Sequence, residues 1–312
     1  MYIVHDIENF EAYYDASVLT LGVFDGMHRG HQQIVSRLQK HSRRKNRPRV
    51  LVTYTPHPDL VLGKREKQRG AELFTYEEKL SLLQKFDLDI AVFLPFTMEL
   101  ARMTALRYLR EIILGKLQAD RIIIGYDQCF GRGRKGDYNF LKLMSRRYDY
   151  SVERIKAVKR KGDIISTSRI KVLLKEGRIE QANDLLGYDF FVTGTVVRGF
   201  QRGKTLGFPT ANLQYPDTKA IPAEGVYTAL AEWGGRKFRA MVNIGRNPTF
   251  QAENLTVEAH LLDFEGDIYG EQIRLFFRER IRDVIAFDGP ESLKAQLERD
   301  RKIAAKMKFK DS

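Results

Sequence analysis

Apolar positions along the chain follow two rhythms. Up to about residue 186, short uninterrupted apolar runs alternate with segments of helical period. Residues 18–23, 50–54, 90–94 and 121–125 read as strands. Residues 31–41, 76–86 and 105–114 read as helices, the second opening after Thr75, a suitable cap. Apolar strands that alternate with helices predict a parallel sheet covered on both faces. Two further helices, 168–176 and 179–186, follow. From Tyr188 the rhythm changes to short β-rich runs at 191–197, 225–232, 237–244, 256–262 and 272–277, separated by Gly, Pro and Asn. That spacing predicts a small antiparallel barrel or sandwich. An amphipathic helix over 290–302 closes the chain. The expected organisation is an α/β domain over 1–186 and a β-barrel domain over 187–312.

Composition narrows this picture. With 312 residues, 43% hydrophobic and 30% charged, the chain is neither disordered nor fibrous. No apolar stretch reaches the ~18–20 residues of a membrane span. Met1 to Phe10 carries Asp6 and Glu8 and has no apolar core, so no secretory signal is expected. A single cysteine, Cys129, fits a reducing, cytoplasmic setting and reads as a small hydrophobe. The net charge of +13 asks for a polyanionic partner. Residues 1–186 hold 34 basic against 23 acidic residues, so +11 of that surplus lies there. The densest run, 40–49, contains no aromatic residue and reads as a solvated helix end and loop rather than a nucleic-acid patch.

Candidate chemistry gathers at the first strand–helix junction. Gly22, Gly26 and Gly30 allow close approach of backbone to a ligand. A helix N-terminus there would aim N–H groups at phosphate. His28 and His31 share one helical face and can donate to a charged transition state. Their spacing also permits a metal, but no acidic or cysteine ligand stands beside them. His57, between Pro56 and Pro58, reads equally as a turn former or a ligand.

These residues carry a resemblance. Gly22-x-Phe24-Asp25-x-x-His28-x-Gly30-His31 resembles the first signature of the nucleotidyltransferase (HIGH) superfamily, in the form found in bacterial bifunctional riboflavin kinase/FAD synthetases. Ile124-Gly125-Tyr126-Asp127-x-x-Phe130-Gly131 and Ser166-Thr167-Ser168-Arg169-Ile170-Lys171 resemble that family's next two segments. Gln128 stands where the family usually has an aromatic, and Lys171 where it usually has Arg, keeping the charge without the bidentate fork. The resemblance implies a Rossmann-like domain for adenylyl transfer. His28, His31 and Arg169 would be catalytic. Gly22, Phe24, Asp25, Gly30, Asp127, Ser166, Thr167 and Lys171 would bind nucleotide and FMN.

The second part holds Gly199-x-x-x-Gly203-Lys204-Thr205, one residue short of a Walker loop. Leu206-Gly207-Phe208-Pro209 cannot continue as the helix a Walker loop needs. The stretch from Gly203 to Asn212 instead resembles the riboflavin kinase signature ending Pro-Thr-Ala-Asn. Asn243 to Phe250 and Thr256 to Phe264 resemble that family's following segments. The resemblance implies Mg²⁺ held with ATP by Thr210 and Asn212. Gly203, Lys204, Gly207, Pro209 and Asn243 would lie at the nucleotide, and Glu258 would be the base that activates the riboflavin hydroxyl. Val284 and Gly289 stand at positions usually held by Glu and Ser. Expected partners are riboflavin, FMN and ATP, with no nucleic acid and no membrane, and the chain is expected to be a monomer or weak homo-oligomer. Two other readings stay open: a nucleic-acid-binding protein, on charge alone, and a flavin-binding protein of this fold that lost one activity.

Overall fold

The structure is a computed structural model that describes residues 1–63, 70–199, 206–246 and 255–308. Contacts divide the chain into two compact units, Met1–Thr167 and Ser168–Ser312.

The first unit contains β1 (Tyr2–Val4), β2 (Ser17–Leu21), α1 (Arg29–Lys45), β3 (Arg49–Thr55), the single turn α2 (Pro58–Val61), α3 (Tyr76–Leu83), β4 (Ile90–Pro95), α4 (Met98–Arg102), α5 (Ala105–Tyr108), β5 (Ala119–Ile124), α6 (Tyr138–Met144) and β6 (Ser151–Arg154). The hairpin β7 (Lys159–Arg160) and β8 (Asp163–Ile164) ends it. Six strands form one parallel sheet in the order β1-β4-β3-β2-β5-β6. All five residues of β2 are buried, because both faces of an inner parallel strand are covered. This is why its sequence is a continuous run rather than an alternation. The helix expected over 105–114 is regular only through α5, and Leu109–Lys116 continues it as a wider π-helical turn. Leu19, Leu21, Val52, Val92, Leu109 and Ile122 lie in one core cluster on this sheet.

Strand order makes the α/β fold informative. From β2 the chain proceeds to β3 and β4 on one side, and β5 then lies on the other side of β2. The crevice at the carboxyl ends of β2 and β5 is therefore the switch point at which open α/β sheets bind ligands.

The second unit holds all but the first residue of α7 (Thr167–Lys175), then α8 (Ile179–Leu186), β9 (Phe191–Val197), β10 (Ala211–Gln214), β11 (Gly225–Trp233), β12 (Arg236–Arg246), β13 (Leu255–Leu261), β14 (Gln272–Arg282) and α9 (Pro290–Ala305). The six strands close into an antiparallel barrel in the order β10-β13-β12-β11-β14-β9. The two helices pack with the barrel. Asn183 on α8 donates to the Phe277 carbonyl at 2.8 Å and accepts from the Phe190 N–H at 2.7 Å. Leu174 on α7 accepts from the Ala223 N–H at 2.8 Å. The contact division thus falls just after the first residue of α7, upstream of the boundary expected at residue 187. Helix α9 covers one flank of the barrel, where Phe208, Val226, Met241, Leu262 and Ala304 form a second core cluster. Arg282 at the end of β14 is held by the fully buried Asp300 of α9, with nitrogen–oxygen distances of 2.7 and 3.0 Å.

Candidate active sites

At the switch point, the loop after β2 turns sharply into α1. Phe24 and Met27 adopt positive φ of 47° and 36°, and Gly26 one of 100°. The turn is pinned from several sides. Thr53 Oγ1 donates to the Val23 carbonyl at 2.7 Å, and Lys79 Nζ donates to the same carbonyl at 3.3 Å. Asp25 is buried, and its carboxylate accepts from the backbone N–H groups of Leu73 and Phe74 at 2.9–3.2 Å. Its own carbonyl accepts from Thr167 Oγ1 at 2.7 Å. The oxygens of Asp25 and Thr167, expected at the nucleotide, thus tie together the loops around it.

His28 caps α1, its Nδ1 accepting from the His31 N–H at 3.4 Å. That bond leaves the proton of the neutral ring on Nε2, available as a donor. The two imidazoles stack with centroids 3.7 Å apart, and Phe24 meets His31 edge-on at 5.0 Å. Burial pushes His28 down to about 4, partly offset by the charge of Asp25. His31 is held well below its ordinary value by burial, then by His28 and Lys79. Both rings are therefore neutral at pH 7. A side chain at Gly30 would stand 3.1 Å from the His28 ring and one at Gly22 3.2 Å from Gln128 Oε1, so both glycines permit close packing. The Gly22 contact also brings the loop after β5 to the loop after β2. Asp127 is exposed at the carboxyl end of β5, and its carbonyl accepts from Arg134 Nη2 at 3.2 Å.

Gly22, Phe24, Asp25, His28, Gly30, His31, Gln128 and Thr167 are thus brought to one end of the sheet, with Ser166 beside Thr167. Arg169 and Lys171 lie on α7, in the second unit, where Lys171 is buried. His57 caps α2 by accepting from the Asp59 N–H at 3.1 Å, the turn-forming alternative. Lys79 was not legible as a site residue, since one lysine on an amphipathic helix gives no signal of its burial.

On the barrel, register assembles the second site. Asn212 of β10 pairs with Glu258 of β13, which pairs with Asn243 of β12. Directly opposed residues share a face, so these three side chains stand in one row. Glu258 and Asn212 are half-buried and Asn243 is exposed, whereas Val257 and Ala259 are buried. Thr210 immediately precedes β10. A side chain at Gly199 would lie 2.2 Å from Asn212 Nδ2, so the backbone passes directly over the amide. Gly207 and Pro209 are exposed beside buried Phe208. Gly203 and Lys204 lie outside the described residues, as does the loop after Arg246.

One end of the molecule's parallel sheet and one face of its barrel therefore define a phosphate-transfer enzyme with a nucleotidyltransferase unit and a kinase unit. Residues 11–169 match the FAD synthetase family model, and residues 186–308 match the riboflavin kinase family model. The bifunctional riboflavin kinase/FMN adenylyltransferase of Listeria monocytogenes is 32% identical over 302 residues, covering 96% of this chain and 95% of that protein. The Escherichia coli K12 enzyme of the same description is 32% identical over 306 residues, covering 97% of each chain. A Streptococcus pneumoniae crystal structure described as a macrolide-efflux protein superposes with a TM-score of 0.89 at 30% identity, covering 98% of this chain and 99% of that one. The chain belongs to the bifunctional riboflavin kinase/FMN adenylyltransferase family. It phosphorylates riboflavin with ATP to FMN, then transfers AMP from ATP to FMN, giving FAD and pyrophosphate. Among the described residues, no helix is long and apolar enough to cross a membrane.

Proposed function

We propose that residues 187–312 carry the kinase step and that Glu258 is its general base, taking the proton of the riboflavin 5′-hydroxyl as that oxygen attacks the γ-phosphorus of ATP. The Asn212–Glu258–Asn243 row carries this reading, because it sets a carboxylate beside two amides on an accessible face. Thr210 and Asn212 offer hard, neutral oxygens, and the tight passage of Gly199 fixes the amide, so the donor set suits Mg²⁺. Bound there with ATP, Mg²⁺ would neutralise charge on the phosphate oxygens. Gly207, Pro209 and Asn243 would contact the nucleotide.

Adenylyl transfer belongs to residues 1–186. Neutral His28 and His31 donate hydrogen bonds to the phosphate as charge builds on it, and Arg169 supplies a fixed positive charge. Gly22, Phe24, Gly30, Asp127, Ser166 and Lys171 line the ATP and FMN phosphates, while Asp25 and Thr167 hold the loops in place. Arg47 pairs with Asp120, and Arg49 pairs with Asp87 and, at 2.8 Å, with Asp89. Two cations of the 40–49 run are thus satisfied within the protein, which favours a small-molecule polyanion over nucleic acid. The chain acts in the cytoplasm as a monomer or weak homo-oligomer.

The test follows flavin products of the purified chain with riboflavin or FMN, ATP and Mg²⁺. Glu258→Gln lowers FMN formation by at least about 100-fold and spares FMN-to-FAD conversion. His28→Ala with His31→Ala does the reverse. Equal loss of both steps in either variant would refute the assignment.

A further inference from the structure

The kinase site needs its phosphate-binding oxygens and its base held in one geometry, yet Thr210 precedes a strand of only four residues, Ala211–Gln214. The segment before Thr210 is fixed by something else. Buried Phe208 enters the cluster beneath α9, and the next carbonyl, that of Pro209, lies 2.9 Å from His260 Nδ1. A carbonyl only accepts, so Nδ1 carries the proton and donates. The same ring meets Phe208 edge-on, with centroids 5.3 Å apart. His260 is 9% exposed and stands two residues after Glu258 on β13, hence on the same face.

We infer that His260 is a positioning residue for phosphoryl transfer, tying the Phe208–Pro209 segment, and through it Thr210, to the strand that carries Glu258. One imidazole thereby couples the placement of the metal-holding oxygens to that of the base. This rests on the roles proposed above for Thr210 and Glu258. Nothing in the residue pattern singled out His260, because its partner is a backbone carbonyl fifty-one positions away.

Two replacements separate the hydrogen bond from simple packing. His260→Asn keeps an amide N–H close to the place of Nδ1, and His260→Leu keeps bulk without a donor. Riboflavin kinase kcat and the KM for ATP are measured across a Mg²⁺ series, with FMN-to-FAD conversion of the same preparation as internal control. For His260→Leu the expected result is an ATP KM and Mg²⁺ requirement raised about tenfold, the cost of one lost buried hydrogen bond. Saturating Mg·ATP restores most of the rate, and FAD formation stays within about twofold. His260→Asn returns the KM to within about threefold of wild type. The inference is overturned by a wild-type KM in His260→Leu, by equal impairment in both variants, or by a lost rate that no Mg·ATP concentration restores in folded protein. If His260→Leu fails to fold, His260→Asn decides: KM near wild type supports the inference, and a KM raised tenfold overturns it. Should Glu258→Gln leave the kinase active, the site assignment itself fails, whatever the His260 variants do.

Discussion

At His28 one ring caps a helix through Nδ1 and leaves Nε2–H to donate, so its protonation is linked to both stability and binding. Its value is lowered from 6.5 to about 4. Between those values the unfolded chain binds more protons than the folded one. Stability from keeping this ring neutral is therefore full above pH 6.5 and declines as pH falls toward 4, a loss on the order of 3 kcal/mol. Chemical denaturation across that window should show a shallower decline for His28→Ala than for wild type. Binding works in the opposite direction, since a triphosphate raises the value of an imidazole that it faces. Calorimetry in buffers of differing ionisation enthalpy should detect proton uptake on ATP binding below about pH 6, and His28→Ala with His31→Ala should remove that component. Asp25 is a third case at this scale. Its carboxylate accepts three backbone contacts, so Asp25→Ala should cost about 2–4 kcal/mol in unfolding free energy and reduce FAD formation while leaving FMN formation intact.

Between elements, what the chain reveals depends on length and on pattern. The buried runs of β2, β3 and β4 are long and rich in Val, Leu and Ile, and their sequence alone places them. β10 has four residues, Ala-Asn-Leu-Gln, with no β-branched side chain, and β1 has three, so neither rises above the background of loops. The residues proposed above for phosphate binding stood out because glycines, histidines and hydroxyls crowd into short segments at strand ends. Register was not legible. Period-two alternation tells which face a side chain takes and leaves its cross-strand partner unspecified, so the Asn212–Glu258–Asn243 row exists only in three dimensions. Lys79 escaped notice for a related reason, because it acts on the backbone carbonyl of a distant loop. The crossing of Gly199 over Asn212 yields a test of how elements meet. Gly199→Ala places a methyl where 2.2 Å separates it from the amide, so Asn212 must move, and kinase activity should fall at least about tenfold with FAD synthesis from FMN unchanged.

Over the whole molecule, the charge surplus has a local meaning. Most of it lies in residues 1–186, where Arg134, Lys135, Arg169 and Lys171 belong to segments proposed for phosphates. Arg47 and Arg49 are paired with carboxylates. Retention on heparin should therefore collapse between about 50 and 200 mM salt and compete with ATP. Persistence of binding to DNA or RNA at higher salt would revive the nucleic-acid reading.

Closure of the barrel has a temporal consequence. β9 begins at Phe191 but closes the barrel against β14, whose last residue is Arg282. Such distant pairing is slow to form and cannot be satisfied locally. During synthesis every strand of the parallel sheet has left the ribosome before β9 appears, whereas the barrel waits for nearly the entire polypeptide. A nascent chain stalled before Gln272 can hold all the residues of the sheet and only an open, edge-bearing precursor of the barrel. The catalyst of the second reaction is thus complete in sequence before the catalyst of the first.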